Sequence, residues 1–330
     1  MIVPYEKKYE EAWDDFVLNR SINGNFLQTR NFYNYHKEDK FKDASIIFFE
    51  EDKIAAVIPA NEIENEEGKI LLAHQGSTYG GIVIGKNYAN TINYKWIFDE
   101  MLSYFEKKEY SRVELKMHNW LYSPVENKHE LLDYYFQLYH FKVRGEVGFF
   151  IDLAVNAENI EEKFEKLKRR KLNKAIKQNL LFKKIEKDSE IEEFYDVLSD
   201  NMLKFDTMPV HSLDDLLEFK NVRLKNLVSF YAVYKDETMI AGSMVFNFCD
   251  YKVFHTQYLA SKRECLDYCP NEFMYTKLIQ SAIDEGYRYL SFGTTCLENG
   301  KIYNESLGRY KEGFNTDSYM NRTYIWEREG

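Results

Sequence analysis

Apolar and polar positions follow one another along this chain in an order that occurs twice. Residues 45–56 read as strand, charged turn and strand: Ile46 to Phe49, Glu50 to Lys53, then Ile54 to Ala56. Residues 229–242 repeat the pattern with Phe230 to Tyr234, Lys235 to Glu237 and Met239 to Ala241. Asp52 aligns with Asp236, and Ile54-Ala55 with Ile240-Ala241, once the second turn is allowed two extra residues. Further on, Phe98, Met101, Leu102 and Phe105 recur at an offset of 177 (275 − 98) as Tyr275, Leu278, Ile279 and Ala282. The i, i+3, i+4, i+7 spacing predicts a helix in each copy. A tyrosine and a strand follow each helix: Tyr110 before 113–117, and Tyr287 before 289–293. Two diverged copies of one α/β unit account for this order.

The remaining elements fit two lobes. In the first copy, residues 9–18 predict a helix with Trp13, Phe16 and Val17 on its apolar face, 28–33 a short second helix, and 70–73 a strand. The loop 74–81 carries Gly76, Gly80 and Gly81, which implies positive φ or a close backbone approach. In the second copy helices are expected over 158–178, 191–203 and 213–220, the last opened by Ser212 with Asp215 three residues on. Strands follow at 228–234, 239–249 and 252–260; Pro270-Asn271 then opens a helix to Asp284 that Gly286 closes. No Pro-, Gly- or Ser-rich linker separates the copies, so the expected lobes are 1–153 and 154–330. Each is an α/β (α+β) layer structure, a mixed and largely antiparallel sheet flanked by helices, and 330 residues suffice for two cores. A groove between two similar lobes is a preferred ligand site.

Composition narrows the chemistry. A net charge of −10 repels phosphate polymers except where a basic surface is local. The 158–178 helix is such a surface, with Lys163, Lys166, Lys168, Arg169, Arg170, Lys171, Lys174 and Lys177. Cys249, Cys265, Cys269 and Cys296 follow nothing that reads as a signal peptide, so reduced thiols and a cytoplasmic location are expected. Cys265-x-x-x-Cys269 lacks a paired Cys-x-x-Cys or His-x-x-x-His, and no metal is assigned. The longest apolar runs, such as 54–59, are strand-length, and no transmembrane segment is expected. The 26 Tyr and 24 Phe suit either a sugar-binding cleft or a coding sequence rich in A and T.

Three local patterns stand out. Tyr289-Leu-Ser-Phe-Gly-Thr is followed after a loop by Leu307-Gly-Arg-Tyr-Lys-Glu-Gly-Phe314; Phe205-Asp-Thr-Met-Pro-Val-His-Ser212 precedes the second hairpin; and Arg169-Arg-Lys-Leu-Asn-Lys174 enters the second copy. With the hairpin, third strand, helix and further strand, they resemble the GNAT acyltransferase fold in tandem, as in Fem-type aminoacyltransferases and FemAB-like acetyltransferases of bacterial cell-envelope pathways. The resemblance spans most of the chain. It implies two tandem GNAT-like lobes, the second holding donor and chemistry and the first shaping the acceptor side. It further implies transfer of an acyl group, acetyl foremost, from acetyl-CoA or another acyl-CoA to an amino group on a sugar nucleotide or envelope precursor, as in polysaccharide biosynthesis. Aminoacyl-tRNA is the alternative donor, and tRNA would then be the one nucleic-acid partner; a non-catalytic ligand-binding protein is a third reading. The chain departs from the acyl-CoA pattern at residues 262–271, where no glycine provides the diphosphate loop before the helix.

Acyl transfer to an amine requires a neutral nucleophile beside the donor carbonyl and a hydrogen-bond donor for the oxyanion. His255 has the intrinsic pKa of a base near neutrality, and equally suits a half-buried strand position. Lys311, with Tyr310 beside it in the most family-like motif, is the candidate for phosphate neutralisation or oxyanion stabilisation, or is a solvated strand lysine. Gln257, Tyr258, Pro270, Asn271 and Gly293 are the donor-side candidates. On the acceptor side stand Gln75, Gly76 and Tyr79, the last placed to stack on a sugar or uracil, together with Arg170, Lys171, Asp206 and His211. The basic helix can equally be a solvated face, and His211 with Asp206 can equally order a loop.

Overall fold

The computed structural model describes residues 1–36, 40–73, 75–123, 129–156, 159–203 and 207–328. The chain divides into two compact units, Met1–Gly145 with Met320–Gly330, and Glu146–Tyr319. It leaves the first unit inside the strand Lys142–Asp152 and returns inside the strand Asp317–Glu327. This differs from the expected boundary at 153/154, because Thr323 to Glu327 pair antiparallel with Lys116 to Arg112. That partner lies some two hundred residues back, and no local pattern announces it.

The first unit holds two sheets. One runs Ile2–Pro4, Ile46–Glu50, Lys53–Ile58 and Val83–Ile84, antiparallel throughout. The other runs Lys42–Asp43, Asn61–Asn65, Gly68–Ala73 and Tyr110–Lys116, completed by 323–327. Gly68–Ala73 and Tyr110–Lys116 are parallel and joined through the helix Thr91–Lys107, whose start is capped by the Asn90 side chain. Of the predicted stripe Phe98, Met101 and Phe105 are buried, together with Ile97, while Leu102 is half-buried at the edge of the core. Pro59 lies between Lys53–Ile58 and Asn61–Asn65; lacking an N–H, it cannot extend a ladder, and the strand changes sheets there.

The main sheet of the second unit runs in the order Leu181–Ile185, Val228–Lys235, Thr238–Phe248, Val253–Ser261, Tyr289–Thr294 and 148–152, and Cys296–Leu297 forms a separate small ladder with Ile302–Tyr303. All neighbours are antiparallel except Val253–Ser261 with Tyr289–Thr294, which are joined by the helix Pro270–Asp284. That helix buries Phe273, Met274, Leu278, Ile279 and Ala282 in a core with Val233, Ala241, Val245, Phe254 and Leu290. The helix Asp188–Leu203 covers Thr238–Phe248 closely at one point, where a Cβ on Gly242 would meet the Phe194 ring at 2.3 Å. Covered strands of this kind read as apolar runs rather than alternations.

The two hairpins agree more closely than their sequences suggest. Both turns have two residues, Glu51-Asp52 and Asp236-Glu237, with the first at φ 52° and 55°. Both ladders shift register at the same place, Phe48/Phe49 and Val233/Tyr234. Glu51 therefore corresponds to Asp236 and Ala55-Ala56 to Ile240-Ala241, one residue from the alignment read in the sequence, and the second turn has no extra residues. The expected 158–178 helix is also broken, into Ile160–Lys163 and Lys166–Ile176. Phe164 is buried against Phe314 at the break, and the Glu165 N–H donates to Gly313 O at 2.9 Å. Among the described residues no helix is long and apolar enough to cross a membrane.

Candidate active site

Val253–Ser261 and Tyr289–Thr294 are paired over only three positions, Val253↔Tyr289 to His255↔Ser291. Each then bulges. Gln257 is skipped in the ladder with Thr238–Phe248, and Phe292 is skipped in the ladder with 148–152. Facing bulges bend and twist the strands apart, so a wedge opens between 256–261 and 292–294, with His255 and Ser291 at its closed end. Gly293 has φ +72°, and a Cβ built there would lie 3.7 Å from His255 Cε1 and 3.8 Å from Thr256 O. Glycine thus tolerates the left-handed backbone and leaves the wedge clear.

A chain of polar side chains follows this wedge. His211 Nδ1 lies 2.8 Å from Tyr258 Oη. The Gln257 side chain bonds to both Tyr258 and His255. His255 Nδ1 lies 3.1 Å from Ser291 Oγ, and Ser291 Oγ lies 3.1 Å from Tyr319 Oη. His255 is buried, and that burial, reinforced by the Lys311 charge, lowers its pKa to about 4. It is therefore a neutral imidazole at physiological pH, a weaker base than its intrinsic pKa implied. Burial raises the Tyr258 pKa to about 12, which keeps its hydroxyl protonated.

Lys311 lies in the helix Glu305–Glu312, not in a strand, and it is buried. Its Nζ donates to Phe292 O at 2.7 Å, Gly293 O at 3.0 Å and Thr294 O at 2.8 Å. Three acceptors around one nitrogen describe an ammonium with all its protons used. Burial lowers its pKa to about 7 against that preference. The direct contact with phosphate or oxyanion expected of Lys311 would require breaking one of these bonds; in the structure it clamps the 292–294 edge of the wedge. Tyr310 is not beside it in function. Its ring packs with Tyr275 and Phe314, and Lys168 Nζ sits 3.1 Å from the ring centroid.

Lys168 belongs to a second cluster at the start of the Pro270–Asp284 helix. Glu272, in the first turn and buried, receives Lys168 Nζ at 3.3 Å and Lys171 Nζ at 3.1 Å. Burial lowers the Lys168 pKa to about 8 despite the carboxylate. Pro270 occupies the first helical position, preceded by Cys269 at φ 56°, so the turn is made without glycine. Asn271 follows Pro270 in the first turn. A ligand diphosphate at this helix start would meet a carboxylate already in place.

The structure brings His255, Gln257, Tyr258, His211, Gly293 and Lys311 together. Asp206 lies outside the described residues. Lys171 is drawn to Glu272, whereas Arg170 points to solvent. Gln75, Gly76 and Tyr79 belong to the first unit. Gln75 exchanges hydrogen bonds with Asn61, and Gly76 adopts φ +77° with its carbonyl accepting from Tyr35 Oη. Tyr79 is not available to stack on a ligand: it is 1% exposed, packed on His118 and Tyr122. Ser291, Tyr319 and Glu272 were missed in the sequence, and Lys168 was read only as part of the basic surface. Ser291 carried a usable signal, a lone hydroxyl inside an apolar strand, which must find a partner if buried; Glu272 looked like an ordinary acidic residue in a helix's first turn.

Comparison with known proteins bears on the fold. Residues 163–312 match the family model described as an acetyltransferase (GNAT) domain. No curated protein matches the chain in sequence. Among solved structures, FemX aligns with TM-score 0.68 at 12% identity, covering 99% of this chain and 97% of that one. L-PGS from Bacillus licheniformis aligns with TM-score 0.60 at 11% identity, over 97% and 91%. A tandem GNAT protein from the clavulanic acid biosynthesis pathway aligns with TM-score 0.56 at 6% identity, over 100% and 99%. With a GNAT domain matched over residues 163–312, and FemX and a tandem GNAT protein aligned along almost the whole chain, the chain has a GNAT-type acyltransferase fold.

Proposed function

We propose that this protein is an N-acyltransferase that moves an acyl group from acyl-CoA to an amino group of a cell-envelope precursor, in the cytoplasm. The observation that carries the reading is the wedge between 256–261 and 292–294, whose backbone suits an extended, amide-bearing donor arm. In this reading the backbone N–H of Gln257, out of register with both neighbouring strands, stabilises the oxyanion. The acceptor amine attacks the thioester carbon; the C–N bond forms, the C–S bond breaks, and the departing sulfur takes the Tyr258 proton. The proton shed by the amine returns to Tyr258 by way of solvent and His211, so the protein ends the step with its protons unchanged. His255, neutral, orients Ser291 at the closed end, and Lys311 keeps the 292–294 edge in place. Thiol release from acetyl-CoA, measured with amino sugar nucleotides and amine-bearing peptide precursors, tests the proposal. Neither binding nor release with any of them would refute it.

One observation favours a second donor. The buried Glu272 at the helix start suits a donor with no diphosphate to place there, as in aminoacyl-tRNA. Aminoacyl transfer from charged tRNA, with no thiol release from acyl-CoA, would select that reading; absence of a tRNA complex at low salt would remove it.

A further inference from the structure

We propose that the solvent face of the helix Lys166–Ile176 docks on an anionic lipid bilayer. The helix is divided lengthwise. Leu172 and Ala175 are buried, Lys168 is buried against Glu272, and Lys171 also binds Glu272. The opposite face carries Lys166, Arg170 and Lys174 at i, i+4 and i+8, with Arg169 and Lys177 alongside, all exposed. Among the described residues none of these five has an ion-pair partner, and the helix contains no acid. Residues 163–184 hold ten Lys or Arg and one Glu, a net +9, so the rest of the chain carries −19 to reach −10. Positive charge is therefore concentrated on one short segment of an acidic protein.

Charge alone would suit any polyanion; the flanks decide. Leu167 and Ile176 border the basic stripe on its two sides, 50% and 53% exposed, and Leu181 just beyond the helix is 57% exposed. A phosphodiester strand is held by cations and stacking aromatics, and this face has no aromatic residue. A bilayer interface takes up aliphatic side chains beside a basic stripe. The two signals together are what stable, reversible attachment requires. The inference does not depend on the identity of the acyl donor.

The test is co-sedimentation of the full chain with vesicles of phosphatidylcholine, with and without phosphatidylglycerol, at low and high salt. Binding should appear with phosphatidylglycerol and fade with salt. The triple variant Lys166→Gln, Arg170→Gln, Lys174→Gln should weaken it about 100-fold, at roughly fivefold per cation. Leu167→Ser with Ile176→Ser should also weaken vesicle binding while leaving retention on heparin unchanged. All five positions are exposed, so each variant should keep the wild-type melting temperature, which is checked alongside. Absence of phosphatidylglycerol-dependent binding, binding that survives the charge variant, or binding indifferent to the apolar variant overturns the proposal. So does displacement of the vesicles by RNA whose own binding is unaffected by the apolar variant, which would identify a nucleic-acid face.

Discussion

Acid should weaken the second unit, and His255 should contribute a separable part of the loss. Its burial and the neighbouring Lys311 charge hold its pKa at about 4 in the folded protein, against about 6.5 in an unfolded chain. The unfolded state therefore binds the extra proton first. Stability is complete above the unfolded value and is lost as pH falls toward the folded one. The full difference is worth about 3 kcal/mol, of which about 2 kcal/mol is gone by about pH 5. Comparison with His255→Gln isolates this contribution, because carboxylates and the buried His118 titrate in both proteins. Urea unfolding followed by hydrogen exchange at amides of the 253–261 strand is the suitable assay, since the two units need not unfold together. Wild type should lose about 3 kcal/mol more than the variant between neutral pH and about pH 4. Equal losses would show that His255 is not the neutral, buried imidazole described above.

Three further outcomes follow from the same geometry. Lys311→Met orphans the Phe292 carbonyl and frees the 292–294 edge; it should cost about 1–3 kcal/mol, and thiol release should fall far more than acyl-donor affinity, as measured by kcat against titrated Kd. Glu272→Gln leaves Lys168 buried without its carboxylate and should destabilise by about 3–5 kcal/mol at neutral pH, read by urea denaturation. Gly242→Ala places a Cβ 2.3 Å from the Phe194 ring; overpacking should cost about 1–3 kcal/mol, and Phe194→Leu in the same chain should restore part of it.

What could be read from the chain were the features encoded by near neighbours. The i, i+3, i+4, i+7 stripes placed both central helices, and Pro270 marked the start of one to the residue. The doubled hairpin was visible because two strands joined by a two-residue turn carry their pattern in about a dozen positions. Its register was not, since one bulge per ladder shifts the alignment by one residue without altering which positions are apolar. Lys311 and His255 were found through motif and intrinsic pKa, but their roles changed. The three carbonyls that occupy Lys311, and the burial that keeps His255 neutral, belong to segments about twenty and more residues away.

The sequence by itself determined the two α/β units, their helices and most of their strands, because alternation and helical spacing follow from backbone geometry at each residue. Only the tertiary structure decided that the last strand returns to the first unit, that Tyr79 is core, and that Ser291 and Tyr319 meet His255. Those outcomes depend on which strand pairs with which and where a ladder bulges. Such choices are settled by the burial and hydrogen bonding of the assembled sheet, where the groups that compete for a partner are far apart along the chain.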